Sequence, residues 1–290
     1  MAWTDGGPPL FAFSLVMLLL STVAVTLRFV CRGYILRVLG LSDLFILLTL
    51  ICSLAHVCIL GIIVSRGLGL PKTIFEFTPD EREFFFKMRC MSKLVVNLSI
   101  VMTKLSVLLL FLDIFLTAWP RRATYVIIVL TALFGVWIAV TNIFPCIPID
   151  SSWKSEEPER RCMDIGQGKS LTDAVVSFVL DMAIFCLPLP VVWPMTLPWR
   201  QKAWLYFAFA LGFFVCVASA IRIVFVMTSA GDPNSGPGIP YWVATEINVA
   251  IVVACIPTLR LLVVKICPRM LETTEPASKT SNRRRSPQPE

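Results

Sequence analysis

The sequence predicts an all-α membrane protein, a bundle of seven transmembrane helices with the N-terminus outside and the C-terminus cytoplasmic. Three observations predict it. Seven apolar stretches, each about long enough to cross a bilayer, occupy nearly the whole 290-residue chain. Hydrophobic residues make up 57% of the chain and charged residues only 16%, too few to cover a water-soluble surface. The basic residues gather in alternate loops, as orientation in a membrane requires.

Taken in order, the expected spans are Leu10–Val30, Leu41–Val64, Ser92–Leu116, Tyr125–Phe144, Leu171–Pro194, Ala203–Thr228 and Pro240–Ile266. Helices are the natural form, because backbone amides in hydrocarbon must be satisfied within their own segment. Runs such as LVMLLL and VIIVL do not alternate, which excludes a transmembrane β-barrel. The first span differs from a removable signal peptide, since its basic residues Arg28, Arg32 and Arg37 follow the apolar run instead of preceding it. The organisation expected is a short extracellular N-terminus over 1–9, a membrane domain over 10–267 and a disordered basic cytoplasmic tail over 268–290.

Loop charge sets the orientation. Arg32 and Arg37 lie between spans one and two, Arg121 and Arg122 between three and four, and Arg200 and Lys202 between five and six. The intervening loops mix their basic residues with Glu76, Asp80, Glu81, Glu83, Glu156, Glu157 and Glu159. The positive-inside rule then puts the C-terminus in the cytoplasm. The net charge of +7 is therefore an orientation signal and gives no argument for nucleic acid.

Of the cysteines, Cys52, Cys58, Cys186, Cys216 and Cys255 fall within spans and read as small hydrophobes. Cys31 and Cys267 are expected at the inner face, within reach of S-acylation. Cys146 and Cys162 share one extracellular loop and are expected to pair, closing a lid over the outer mouth, with Cys90 as a rival partner.

Charged residues inside a span are costly and mark the places where function sits. Lys104 in span three and Asp181 in span five are expected near the midplane. Arg222 in span six and Glu246 in span seven are level with each other in the outer third. These are two opposite-charge pairs at matched depth. His56, the only histidine, and Asn97, Asn142 and Asn248 are candidates for the same polar layer. A second group, Arg28, Arg37, Asp43, Asp113 and Arg260, is expected at the cytoplasmic face, read as solvated helix ends with Asp43 tied to Arg28 or Arg37. Span seven lacks a mid-membrane lysine for a retinal Schiff base, since Lys265 lies at its cytoplasmic end. One histidine cannot supply a metal-spaced set, and no GxSxG or phosphate-cradling glycine loop is present, so neither metal nor other cofactor is expected.

The ordered segments TLRFVCRGYILRVLGLSDLF, SRGLGLP, KLSVLLLFLDIF, FPCIPIDSSW with RCMD, DMAIFCLPLPVVWPM, SAIRIVF and YWVATEINVAIVVACIPTLR extend over residues 26–260. In this set the chain resembles the fungal rhodopsin-domain integral membrane proteins. That group includes receptor-like proteins of pathogenic fungi and membrane proteins encoded beside toxin biosynthesis genes. By resemblance, Lys104, Asp181, Arg222, Glu246, Cys146 and Cys162 match the charged and cysteine positions of the family pattern. Leu70-Pro71 follows the glycines where the pattern has a His, and Ser42-Asp43 replaces an acidic pair. The "rhodopsin" label concerns topology and implies neither light nor retinal.

Two function classes follow. The first is a G-protein-coupled-receptor-like protein that senses a small hydrophobic molecule, its basic inner loops facing a G-protein-like partner. Against it, no Asp-Arg-Tyr ends span three and no Asn-Pro-x-x-Tyr ends span seven. The alternative is an integral-membrane enzyme, a cyclase or isomerase, or an accessory protein of fungal secondary metabolism. In that reading Glu246 and Asp181 act as acid and base, and Tyr241, Trp242 and Phe225 wall a cationic intermediate.

Overall fold

The computed structural model describes residues 7–35, 37–65, 78–115, 117–144, 146–147, 161–162, 167–192, 199–228 and 238–266. The elements are α1 (Gly7–Phe29) running into a π-helical segment (Val30–Ile35), α2 (Leu41–Ser65), α3 (Pro79–Ile114) and α4 (Ala118–Ile143). Then come β1 (Cys146–Ile147), β2 (Arg161–Cys162), α5 (Gln167–Cys186), the short α6 (Leu189–Val192), α7 (Trp199–Thr228) and α8 (Gly238–Ile266). The expected tail, Cys267 and the Gly67-Leu68-Gly69 loop lie outside the described residues.

Six helices among the described residues are long and apolar enough to cross a membrane: those within Pro8–Ile35, Leu41–Ser65, Glu83–Ile114, Ala118–Ile143, Phe209–Thr228 and Tyr241–Thr258. This is a multi-pass membrane protein. Its α1 and α4 turn rows of bare aliphatics outward, Leu15, Val16, Leu19 and Val23 on one and Val126, Val129, Leu133 and Val136 on the other. The sequence's fifth span is the exception. Its helix α5 carries Lys169, Asp173 and Asp181 within twenty residues, which takes it below the apolar composition of the rest.

Helix ends differ from the expected spans for local reasons. Helix α3 starts at Pro79 rather than at Ser92, because a capping box sets its first turn. The Thr78 hydroxyl accepts from the Glu81 amide, the Glu81 carboxylate accepts from the Thr78 amide, and Pro79 occupies the first helical position. The stretch from Pro79 to Met91 carries Asp80, Glu81, Arg82, Glu83, Lys87 and Arg89, so hydropathy alone reads past it. Helix α5 stops at Cys186, before Pro188 and Pro190, and a short turn of helix replaces the expected run to Pro194.

The helices form a closed ring. Each of α1, α2, α3, α4, α5, α7 and α8 packs on the next, and α8 returns to α1, while α3 and α8 also touch across the middle. The central core joins Ala24 and Val25 of α1, Ile46 of α2, Val96 and Ile100 of α3, and Ile247, Ile251 and Ala254 of α8. A second core packs Val101 against Phe134, Ile138 and Leu180 of α4 and α5. Gly135 lets α4 come close there, since a Cβ at that position would lie 2.9 Å from Val101 Cγ1.

At the inner end of α1 the widened π turn brings both Cys31 and Arg32 into the interior. Cys31 is fully buried and its thiol donates to the Thr258 carbonyl at 3.3 Å, so the expected acylation site is closed off. The chain leaves this segment through Arg37 at φ 53°, and the Val38 amide donates back to the Arg32 carbonyl at 2.9 Å. Arg37 is exposed and is not a partner of Asp43. The connection between α4 and α5 contains the only ladder among the described residues, β1 antiparallel to β2, with Cys146 opposite Cys162 and Ile147 opposite Arg161.

Candidate functional site: a chain of buried charges

Most hydroxyls in these helices are satisfied locally, as when Thr103 donates to the Ser99 carbonyl and Thr131 to the Ile127 carbonyl one turn back. The exceptions join helices. On α3, Lys104 extends to α5, where its ammonium donates to the Ser177 carbonyl at 3.0 Å and to the Asp181 carboxylate in a closer contact. The other oxygen of Asp181 accepts from the hydroxyl of Ser219 on α7 at 3.0 Å. That same hydroxyl lies 2.8 Å from Glu246 Oε1 on α8. Glu246 Oε2 in turn is 3.0 Å from Arg222 Nη1, again on α7.

The run Lys104, Asp181, Ser219, Glu246, Arg222 thus crosses four helices. It is largely buried: Lys104 is 5% exposed, Arg222 7% and Glu246 2%, and the Asp181 side chain 12%. Two cations and two carboxylates balance, which is the condition for such groups to stay in a low-dielectric interior. Beside it, Phe225 and Trp242 stack at 6.3 Å between ring centroids, and Tyr241 rests on Phe13 at 5.3 Å.

A second tie lies between α1, α2 and α8. Asn248 Oδ1 accepts from Ser21 at 2.8 Å and Ser53 at 3.2 Å, and its amide nitrogen donates to the Ala244 carbonyl. His56 meets Ser92 at 3.0 Å, linking α2 to α3. Asn142 donates only within its own helix, to the Ile138 carbonyl. Asn97 is half-buried and takes no part in these ties.

The group expected as solvated helix ends divides: Arg37 and Asp113 are exposed, whereas Arg28 and Asp43 are buried. Arg28 is fully buried, donating to Asp43 at 2.9 Å and to the Ala254 carbonyl at 2.6 Å. Arg32 takes the place expected of Arg37: it contacts Asp43 at 3.4 Å, donates to Ser42 at 2.6 Å and reaches Asp113 at 3.0 Å. Asp43 also accepts from the Gly40 amide. The apolar surroundings of the π turn turn this into a buried clasp of α1, α2, α3 and α8. Arg121 and Arg122 are exposed at the start of α4. Arg200 and Lys202 lie on the first turn of α7, and Arg260 in α8, with side chains outside the described residues.

Sequence reasoning missed Ser219, although it precedes Arg222 by one turn and so shares its face. It also missed a tie among α3, α4 and α5 in which Lys169 sits 3.9 Å from Asp173 and donates to the Thr141 carbonyl, Trp137 donates to Asp173, and Lys93 donates to Ser170. The signal was the spacing of Lys169 and Asp173, four apart on one helix.

A closed ring of apolar helices around a balanced charged interior defines a polytopic membrane protein with a polar core. The fungal rhodopsin domain model matches residues 27–265, and the chain belongs to that family. A SAT4 family membrane protein of Emericella nidulans is 32% identical over 62% of this chain and 47% of its own length. Receptor GIN3 of Arthrobotrys oligospora is 25% identical over 75% of this chain and 53% of its own. The polyenoic acids biosynthesis gene cluster protein Ba17b of Metarhizium anisopliae is 24% identical over 90% of this chain and 75% of its own. The chain therefore spans about half the length of the first two relatives. No solved structure matches.

Replacing Lys104 by Met leaves Asp181 buried without its cation, and the expected loss is about 3–5 kcal/mol of unfolding free energy. Adding Asp181→Leu to the same variant is expected to restore most of it. Denaturation of the three proteins in lipid nanodiscs measures this; a neutral Lys104→Met variant would show that the pair carries no stability.

Proposed function

We propose that this protein is a seven-helix, G-protein-coupled-receptor-like sensor of a small hydrophobic molecule. The observation that carries the reading is the buried run from Lys104 to Arg222, because four helices that share one polar network respond together when a ligand displaces any member. Helix α5 is counted as a span here. It closes the ring between α4 and α7, and its charges Lys169, Asp173 and Asp181 are matched by neighbouring helices instead of lipid. The alternation of basic loops supports an outer N-terminus and a cytoplasmic C-terminus. A relative named as a receptor supports sensing.

The second reading is an enzyme or accessory protein of secondary metabolism, favoured by the biosynthesis-cluster name of another relative. Mass spectrometry decides between them. The nanodisc-embedded protein is incubated with a fungal metabolite extract beside its Glu246→Gln variant. Sensing predicts a compound retained unchanged by the native protein; a compound consumed by the native protein and spared by the variant makes this an enzyme.

The proposed cytoplasmic contact is a G-protein-like partner on the exposed arginines that open α4. Reversing charge at Arg121, Arg122, Arg200 and Lys202 is expected to abolish signalling at normal surface expression. Undiminished signalling rules out that contact.

The outer lid is proposed to be closed by a Cys146–Cys162 disulfide, supported by their opposition in the ladder, while the rival Cys90 is a free thiol. A non-reducing digest is expected to yield one peptide joining the two. Recovery of both as free thiols excludes the bond.

A further inference from the structure

The Arg222–Glu246 contact is close but incomplete. Its 3.0 Å separation is an ion contact whose angle does not make a hydrogen bond, so Glu246 Oε2 receives no donor. Arg222 Nε is likewise buried without an acceptor. The remaining support of Glu246 is shared. Ser219 has one hydroxyl hydrogen for two carboxylate oxygens, at 2.8 Å and 3.0 Å, and can donate to only one at a time. At the Lys104 end the ammonium meets both the Ser177 carbonyl and Asp181, and the buried atom left without a partner there is the Ser177 hydroxyl, which carries no charge. The Arg222 end instead holds one unmet donor beside one unmet acceptor, both on ionic groups.

Resting on the sensing reading above, we propose that this end is the polar anchor for a ligand hydroxyl group carried on an apolar body. A hydroxyl is the smallest neutral group that fills both vacant roles, accepting from Arg222 Nε–H and donating to Glu246 Oε2. Charge selects it over an anion or a cation. The four ionic side chains already sum to zero, and a charged ligand would leave a net charge in the membrane interior. Aromatic side chains flank the anchor. Phe225 is one turn beyond Arg222 and Trp242 one turn before Glu246, so the stacked rings stand on the same faces, on the side of the α7–α8 connection.

Two matched sets test the anchor in nanodiscs, one flexible and one flat: decane, decanol, decyl methyl ether and decanoate, then naphthalene, naphthol, methoxynaphthalene and naphthoate. Binding is read as ligand-induced thermal stabilisation. In at least one set the hydroxyl member is expected to bind about tenfold more tightly than its ether and hydrocarbon, the worth of one hydrogen bond to charged groups. The double variant Arg222→Leu with Glu246→Leu removes both charges together, keeps the run neutral and is expected to fold while losing that preference. Equal binding of hydroxyl, ether and hydrocarbon overturns the anchor and leaves sensing intact, as does preference for the carboxylate. If no member of either set binds, the anchor is overturned, and an empty metabolite screen beside it removes the sensing reading as well. A preference that survives in the double variant places the hydroxyl elsewhere and also overturns the assignment.

Discussion

Helices in lipid gain little from hiding apolar surface against one another, because hydrocarbon outside is as apolar as the neighbour inside. What remains is close packing and the requirement that every buried charge find its opposite. In this protein that requirement does most of the specifying. Lys104 fixes α3 against α5, Ser219 fixes α5 against α8 through α7, and Arg28 fixes α1 against α2 and α8. In the observed order each buried cation of these ties stands beside a carboxylate.

The ties lie in layers. Arg28, Arg32, Asp43 and Asp113 clasp the inner ends, Asn248 joins α1, α2 and α8 deeper in the bundle, and the run from Lys104 to Arg222 occupies the opposite side. Between them sit aliphatic cores of ordinary composition. Helix α8 takes part in each of these layers and packs against α1, α2, α3 and α7, so it is their common member. It also contains Pro257, which removes one backbone donor within the turn that faces the inner clasp.

Much of this was legible in the sequence. The apolar stretches located the helices, and depth counting put Lys104 level with Asp181 and Arg222 level with Glu246, as their contacts have it. Three things were not legible. Serine is too common to single out Ser219 or Ser42, whose importance comes from what lies across the interface. The start of α3 was hidden because hydropathy reports the apolar part of a helix, whereas a capping box reports its true beginning. Of the two partners expected for Asp43, Arg28 is the one found; the π turn hid the second, Arg32, since regular helical spacing does not foresee an added residue that swings it inward.

That added residue has a mechanical meaning. A regular helix advances about 100° per residue, so inserting or deleting one residue in α1 would carry its lipid-facing aliphatics towards the core. The π segment already absorbs one such step between Val30 and Ile35, between the two clasp arginines Arg28 and Arg32. The first helix therefore has a phase coupler at its C-terminal end. The membrane-facing half and the arginine-bearing half can each keep the azimuth they need, and a length change there would alter pitch without reversing which side of the helix meets lipid.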